Sequence, residues 1–287
     1  MKLGVLADIH GNYEAFKACV DYCQKQKVNG FVLLGDYVGE LPCPERTLSL
    51  IHELENTTTC YVIKGNKEDY ILEGLGDSHP EWDPYKSVVG MLRYAFDHTS
   101  KSDVEYFKTL PVSLTINIKG YEPIRICHGT PDNPKRKIVP DDPKNQELFD
   151  TFEEKYLLCA HSHRAFSIRE YGKHVINPGS VGLPVDGCQC AQCMILHSTP
   201  DGWRPEYIEV PYDIESEIKS MKNEMLFDIA PCWSIITRDV LTGGTTPHSA
   251  VLRRAMALCE QENGTVEWPC ISEKYMAQAV NELLFVL

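Results

Sequence analysis

Residues 2–12 read Lys2-Leu3-Gly4-Val5-Leu6-Ala7-Asp8-Ile9-His10-Gly11-Asn12. A short apolar run ends on an aspartate, with a histidine two places on and a Gly-Asn turn behind it. Runs of this length rich in Val, Ile and Leu predict buried strands. The same grammar recurs. Phe31–Leu34 leads into Gly35-Asp36, and Cys60–Ile63 into Lys64-Gly65-Asn66. Pro123–Cys127 leads into His128-Gly129, and Tyr156–Ala160 into His161-Ser162-His163.

Helical patterns separate the first three runs. Phe16, Cys19, Val20 and Cys23 recur at helical spacing, as do Leu48, Ile51 and Leu54. Alternating strands and helices imply βαβ units and a largely parallel sheet. In such sheets the ligand crevice lies outside the carboxyl ends of the strands. Asp8, His10, Asp36, Asn66, His128, His161 and His163 all fall there. Carboxylate and imidazole together suit Mn, Fe or Zn better than Mg or Ca. Two ions sharing one carboxylate would use a donor set of this size.

Later the texture changes. Val112, Leu114, Ile116 and Ile118 alternate with polar residues, predicting a half-buried strand that turns at Lys119-Gly120 into the run ending at His128. His174–Asn177, Ala191–His197 and Tyr207–Val210 read as further strands, so a second sheet is expected. Residues 71–110 read as a helical insert. After Pro211 the chain is mostly helical, with Ile214, Ile218 and Met221 on one face and further helices over Ala250–Gln261 and Glu273–Phe285. Gly243-Gly244 reads as a linker, since it lacks the Lys-Ser/Thr ending of a P-loop.

Asp8-Ile9-His10, Gly35-Asp36, Gly65-Asn66-Lys67-Glu68, His128-Gly129 and His161-Ser162-His163 stand in the order of the calcineurin-like metallophosphoesterase motifs, and the chain resembles that family over roughly residues 1–212. Gly35-Asp36-Tyr37-Val38-Gly39 and Asn177-Pro178-Gly179-Ser180-Val181-Gly182 extend the resemblance. It implies an α/β fold: a four-layer αββα sandwich of two mixed sheets, with a dinuclear metal site at the strand ends. Residues 1–212 would form the catalytic domain, and 213–287 a helical extension packed on it. Asp8, His10 and His163 would hold one divalent ion; Asn66, His128 and His161 would hold the other; Asp36 would bridge them. The activity implied is hydrolysis of phosphate mono- or diesters of a small molecule or nucleotide, by a metal-bridging hydroxide. The alternative is a weak or inactive relative serving as a protein-interaction scaffold.

The resemblance departs at two places. The family usually has histidine where this chain has Lys67, so protonation of the leaving group is in question. An ammonium there would be pushed toward the neutral form by the metals, yet stabilised by substrate phosphate, as proton donor or as clamp. Ala160 replaces the usual glycine before His161. Asp36, Asn66, Lys67 and His128 are the expected catalytic residues, with Lys67 and Arg164 as candidate substrate contacts.

Other features carry less. His52, His197 and His248 read as packed or surface histidines; His79 and His98 lie in the insert, where a substrate-facing role is the alternative. Cys188, Cys190 and Cys193 are too few and too close for a usual structural zinc site. Alternation would put Cys188 and Cys190 on one face of a strand.

The net charge of −13 over 287 residues argues against duplex nucleic acid as partner. A small phosphorylated substrate fits better, since metal ions supply local positive charge. With no secretory pattern and no long apolar run, a cytoplasmic protein without a membrane span is expected. Its twelve cysteines should then stay reduced. The apolar end Leu283–Leu287 needs burial, on this domain or in a homo-oligomer.

Overall fold

The computed structural model describes residues 1–77, 79–143 and 145–284. The first half-sandwich is built from β1 (Lys2–Leu6), α1 (Tyr13–Lys25), β2 (Gly30–Leu33), α2 (Pro44–Thr57) and β3 (Cys60–Val62). These strands pair in parallel, with Val5 opposite Val32 and Val32 opposite Tyr61. Then come α3 (Asn66–Leu72), a 3-10 turn over Pro80–Tyr85, α4 (Lys86–Asp97) and α5 (Lys101–Thr109).

The second sheet follows: β4 (Ser113–Ile116), β5 (Ile124–Cys127), α6 (Asn145–Phe149), β6 (Tyr156–Leu158), β7 (Ala165–Glu170) and β8 (Lys173–Pro178). The chain then returns to the first sheet with β9 (Ala191–Thr199) and β10 (Gly202–Val210). The sheet orders are β10-β9-β1-β2-β3 and β4-β5-β6-β8-β7. Each mixes parallel and antiparallel pairs.

Period-two alternation sorts the side chains into layers. Leu3, Val5 and Val32 from one sheet meet Ile124, Ile126 and Leu158 from the other, forming the inter-sheet core. Leu6, Phe31 and Leu33 point the opposite way, onto Phe16, Cys19 and Leu48 of α1 and α2. Cys127, Leu157 and Val175 face Leu148 and Phe149 of α6. The result is the expected αββα sandwich. Ala160 is fully buried in the inter-sheet core.

The remaining helices are α7 (Ile214–Asn223), α8 (Leu226–Ile229), α9 (Pro231–Leu241), α10 (His248–Asn263) and α11 (Glu273–Leu284). Their apolar faces meet α4. Val88 and Val89 join Ile236, Val251, Ala255 and Met276 in one cluster. Met91 and Tyr94 join Leu226, Ala230 and Val240 in a second. Gly243 and Gly244 lie in the loop between α9 and α10.

Three differences from the sequence reading stand out. β7 is an edge strand with mostly exposed side chains, so it lacks the apolar signal of its neighbours. α6, α8 and α9 are short or begin at a proline, and periodicity over so few residues is weak. Cys188 and Cys190 lie in the loop before β9, not on a strand face. There they are joined by a disulfide, with Cα atoms 5.3 Å apart, so the expectation of reduced thiols throughout fails at this pair. Cys193 points inward against Cys23, and the cluster is divided. Leu284 packs on the helical cluster and Leu283 is partly exposed; residues 285–287 of the apolar end lie outside the described residues.

Candidate metal centre

The strands end in turns that five polar residues enter with left-handed backbone: Asp8, His10, Asp36, His161 and His163 have φ between 52° and 65°. L-residues adopt this region at a cost of about 1–3 kcal/mol each, and such outliers gather at functional sites. Hydrogen bonds hold the turns. The amides of Ile9 and His10 both donate to Asp36 O at 2.9 Å. Glu68, fully buried, accepts from the amides of Asp36, Tyr37 and Gly65 at 2.7–2.9 Å. One carboxylate therefore ties the β2 turn to the start of α3. Gly65 is required there, because a Cβ would overlap Asp36 Oδ1. Gly11 turns at φ +80°, where a Cβ would lie 2.5 Å from Leu41 O.

The Asn177–Gly182 segment buttresses the other side. Ser180 Oγ donates to Asp8 O at 2.9 Å, and Asn177 Nδ2 donates to Ala160 O at 2.8 Å. Asn12 caps α1 through Ala15 N and reaches Gly182 O with its Nδ2 at 3.1 Å.

These turns bring all seven predicted donors together. Asp8, His10 and His163 form one group and Asp36, His128 and His161 another, the donor atoms within each lying within 4.8 Å of one another. Asn66 Oδ1 is 3.1 Å from His128 Nε2 and so joins the second group. Asp36 Oδ2 lies between the groups, 3.4 Å from His128 Nε2 and 3.8 Å from His10 Nε2.

The donor chemistry fits cations. His128 Nδ1–H donates to Leu34 O at 2.7 Å, and His163 Nδ1–H to Leu183 O at 2.8 Å. His10 Nδ1 is 2.6 Å from Glu40 Oε2. Each Nε2 is thereby turned into the site, the arrangement in which outer partners orient metal-binding histidines. His10 Nε2 and His163 Nε2 face each other at 3.1 Å, and His128 Nε2 and His161 Nδ1 at 3.2 Å. Facing lone pairs repel unless a proton or a metal ion lies between them.

The acid–base balance agrees. Burial, aided by the charge on His10, holds His163 well below the usual histidine range. Burial and then His128 push His161 down to about 3. Burial opposes charge on His128 too, but Asp36 and then Asp8 outweigh it and raise it to about 9. Burial works to raise Asp36, yet His128 and His10 hold it below the carboxylate range. Without metal, protons on His128 and His10 balance the carboxylates; a bound cation displaces them.

Lys67 is mostly buried, and its ammonium is paired with Glu40. Burial favours its neutral form, but Glu40 and Asp36 reverse that and raise it above the usual lysine range. Glu40 had no motif to announce it, and it bridges Lys67 and His10. Arg164 is exposed, donates from Nη2 to Val185 O at 3.4 Å, and is not among the residues lining the cavity. Lys137, which no motif marked, lies at the rim instead. The disulfide pair lies near Glu209 rather than at this centre.

A cavity of about 440 Å³ opens over the centre, with His10, Asp36, Asn66, His161 and His163 in its lining. His248, which read as an ordinary packed histidine, also lines it, with Nε2 2.9 Å from Thr237 Oγ1 and its ring tilted against Trp233. The signal was missed because α10 is distant in sequence from every motif. His79 and His98 do not line it; His98 bonds Tyr94 O and His79 contacts Glu81.

Among the described residues, no helix is long and apolar enough to cross a membrane. Comparison with known proteins agrees with the geometry. An uncharacterized protein of Methanocaldococcus jannaschii is 28% identical over 242 residues, covering 78% of this chain and 93% of its own length. A hypothetical protein of Pyrococcus horikoshii OT3 superposes with a TM-score of 0.71 at 24% identity, over 86% of this chain and 99% of that one. A metallophosphoesterase from Sphaerobacter thermophilus superposes at 0.66 with 21% identity, over 85% and 100% of the two chains. These two likenesses show the fold. The model of the calcineurin-like phosphoesterase superfamily domain matches residues 1–201, and the chain belongs to that superfamily.

Proposed function

We propose that the protein is a metal-dependent phosphoesterase that hydrolyses phosphate mono- or diesters of a small molecule or nucleotide. The observation that carries this reading is the pair of His/Asp groups with Asp36 between them, opening into a cavity. Asp8, His10 and His163 would hold one divalent ion, and Asn66, His128 and His161 the other, with Asp36 shared. The mixed N/O donor set favours Mn, Fe or Zn. When bound, such ions supply positive charge for phosphoryl oxygens and make water acidic enough to ionise near neutral pH.

The chain's own residues do the rest. Leu34 O, Leu183 O and Glu40 fix the rings of His128, His163 and His10, so no reorganisation is needed as substrate arrives. Lys67, steered by Glu40, presents a cation beside Asp36 for a phosphate oxygen, and Lys137 offers another at the rim. In a chain of net charge −13 this local positive charge is what admits an anionic substrate.

The test is hydrolysis of bis(4-nitrophenyl) phosphate and 4-nitrophenyl phosphate, after stripping metal and restoring Mn. Metal-dependent turnover that Asp36→Asn abolishes is the expected result. The diester-to-monoester ratio then narrows the substrate class. A folded, Mn-loaded protein inert toward both esters would move the weight to the scaffold reading.

A further inference from the structure

Catalysis at phosphorus needs polar groups, yet most of this cavity is apolar. Its floor carries the His/Asp groups, and Lys67 and Glu40 stand beside them. Its walls are Met91 and Leu92 from α4, Trp233 from α9, Leu252 from α10, and Trp268 from the loop before α11. The helices that follow the sandwich thus close a chamber over the centre. At about 440 Å³ it matches the size of pockets that hold small organic ligands, and a phosphate alone leaves most of it empty.

The division of the lining is informative. The polar lining comes mainly from the strand-end turns and the start of α3, while Met91, Leu92, Trp233, Leu252 and Trp268 come from the insert and the C-terminal helices. A sugar or a nucleobase carries many polar atoms, and burying them among Met91, Leu92 and Leu252 would leave many of them unpaired. Polar groups are few in that wall: His248 and Ser249 of α10 and Tyr70 of α3 also line the cavity, and His248 is already in hydrogen-bond range of Thr237. A ligand matching this lining has an anionic head, an apolar body and few polar atoms along it.

Resting on the phosphoesterase reading above, we propose that the chamber binds the alkyl or aromatic body of the substrate, so that the protein selects phosphoesters with a hydrophobic substituent. The selectivity lies in walls supplied by the insert and the C-terminal helices, not in the metal ligands.

Two measurements on the full-length, Mn-loaded protein test this. The first is calorimetric binding of methyl, butyl and hexyl phosphate. Each methylene moved from water to an apolar wall contributes up to about 0.8 kcal/mol, a factor of about four. Butyl phosphate should therefore bind roughly tenfold or more tightly than methyl phosphate. The second is kcat/KM for 4-nitrophenyl alkyl phosphodiesters with methyl, butyl and hexyl groups, which share one leaving group. The ratio of hexyl to methyl should rise in the same way, and Trp268→Ala and Leu252→Asn should each reduce it. Trp268 is partly exposed, so its variant tests the wall without a core defect. Affinity independent of chain length overturns the proposal, as does strong turnover with a flat series, and the latter leaves the phosphoesterase reading intact. Chain-length-dependent binding with no turnover of any diester or of 4-nitrophenyl phosphate supports the chamber and removes the enzyme reading.

Discussion

Lys67 and Glu40 act as one unit. Glu40 sits between the Lys67 ammonium and His10 Nδ1, and although burial works to raise its carboxyl, Lys67 and His10 hold it well below the usual range. In the chain without metal, Glu40, a partner invisible in the motif, and Asp36 hold Lys67 in its charged form against the effect of burial. Lys67→Ala is predicted to lower kcat on the order of 10- to 100-fold with metal content unchanged, because a phosphate contact is lost while every metal donor remains. Unaltered kcat, with metal measured by atomic absorption, would remove Lys67 from the reaction. Glu40→Gln should weaken metal affinity about 10- to 100-fold through the loss of a charged support behind His10. Competition with a chelator of known affinity measures that.

Elements set the geometry on which those residues depend. Short strands stop before the donors, and Glu68 at the start of α3 holds the β2 turn through the amides of Asp36 and Tyr37. α7 brings a different carboxylate into the interior. Glu217 is fully buried and both its oxygens lack hydrogen-bond partners among the described residues. Burial, and then the charge on Glu14, raises it from 4.5 to about 8. A raised carboxyl keeps its proton in the folded state after the unfolded chain has lost it. Its contribution is therefore complete below pH 4.5 and declines as pH rises toward about 8. Glu217→Gln is predicted to leave stability near pH 5 little changed and to raise it near pH 8, on the order of 3 kcal/mol. Denaturant unfolding at the two pH values checks this; an equal change at both would show that Glu217 is not protonated in the fold.

At the scale of the whole molecule, the sandwich and the helices after it share a working surface. Val251, Ala255, Met276 and Val280 of α10 and α11 pack on Val88, Val89 and Ile236. Ending the chain after Gly244 would uncover that cluster and remove Leu252 and Trp268 from the cavity wall. The truncated protein is predicted to melt several degrees lower or to self-associate, since an apolar face of this size does not stay in water. Thermal unfolding and sedimentation measure both, and a truncate identical to the full chain in each would show that the extension adds nothing to stability.

Strand grammar, helix spacing and the order of Asp8, Asp36, Asn66, His128 and His161 were legible in the sequence, because short apolar runs and turn residues report local constraints directly. They determined the strand–helix alternation, a second sheet and the polar residues at the strand ends, while the four-layer sandwich was what the family resemblance implied. Glu40, Lys137, His248 and the apolar wall were not legible. Each matters only through what lies opposite it, and those partners come from distant parts of the chain. β7 escaped for the same reason, since an exposed edge strand is specified by pairing with β8 rather than by its own hydrophobicity. The sequence by itself therefore determined what chemistry this protein can hold. The tertiary structure alone decided what surrounds that chemistry, because burial, charge pairing and cavity shape arise only when remote segments meet.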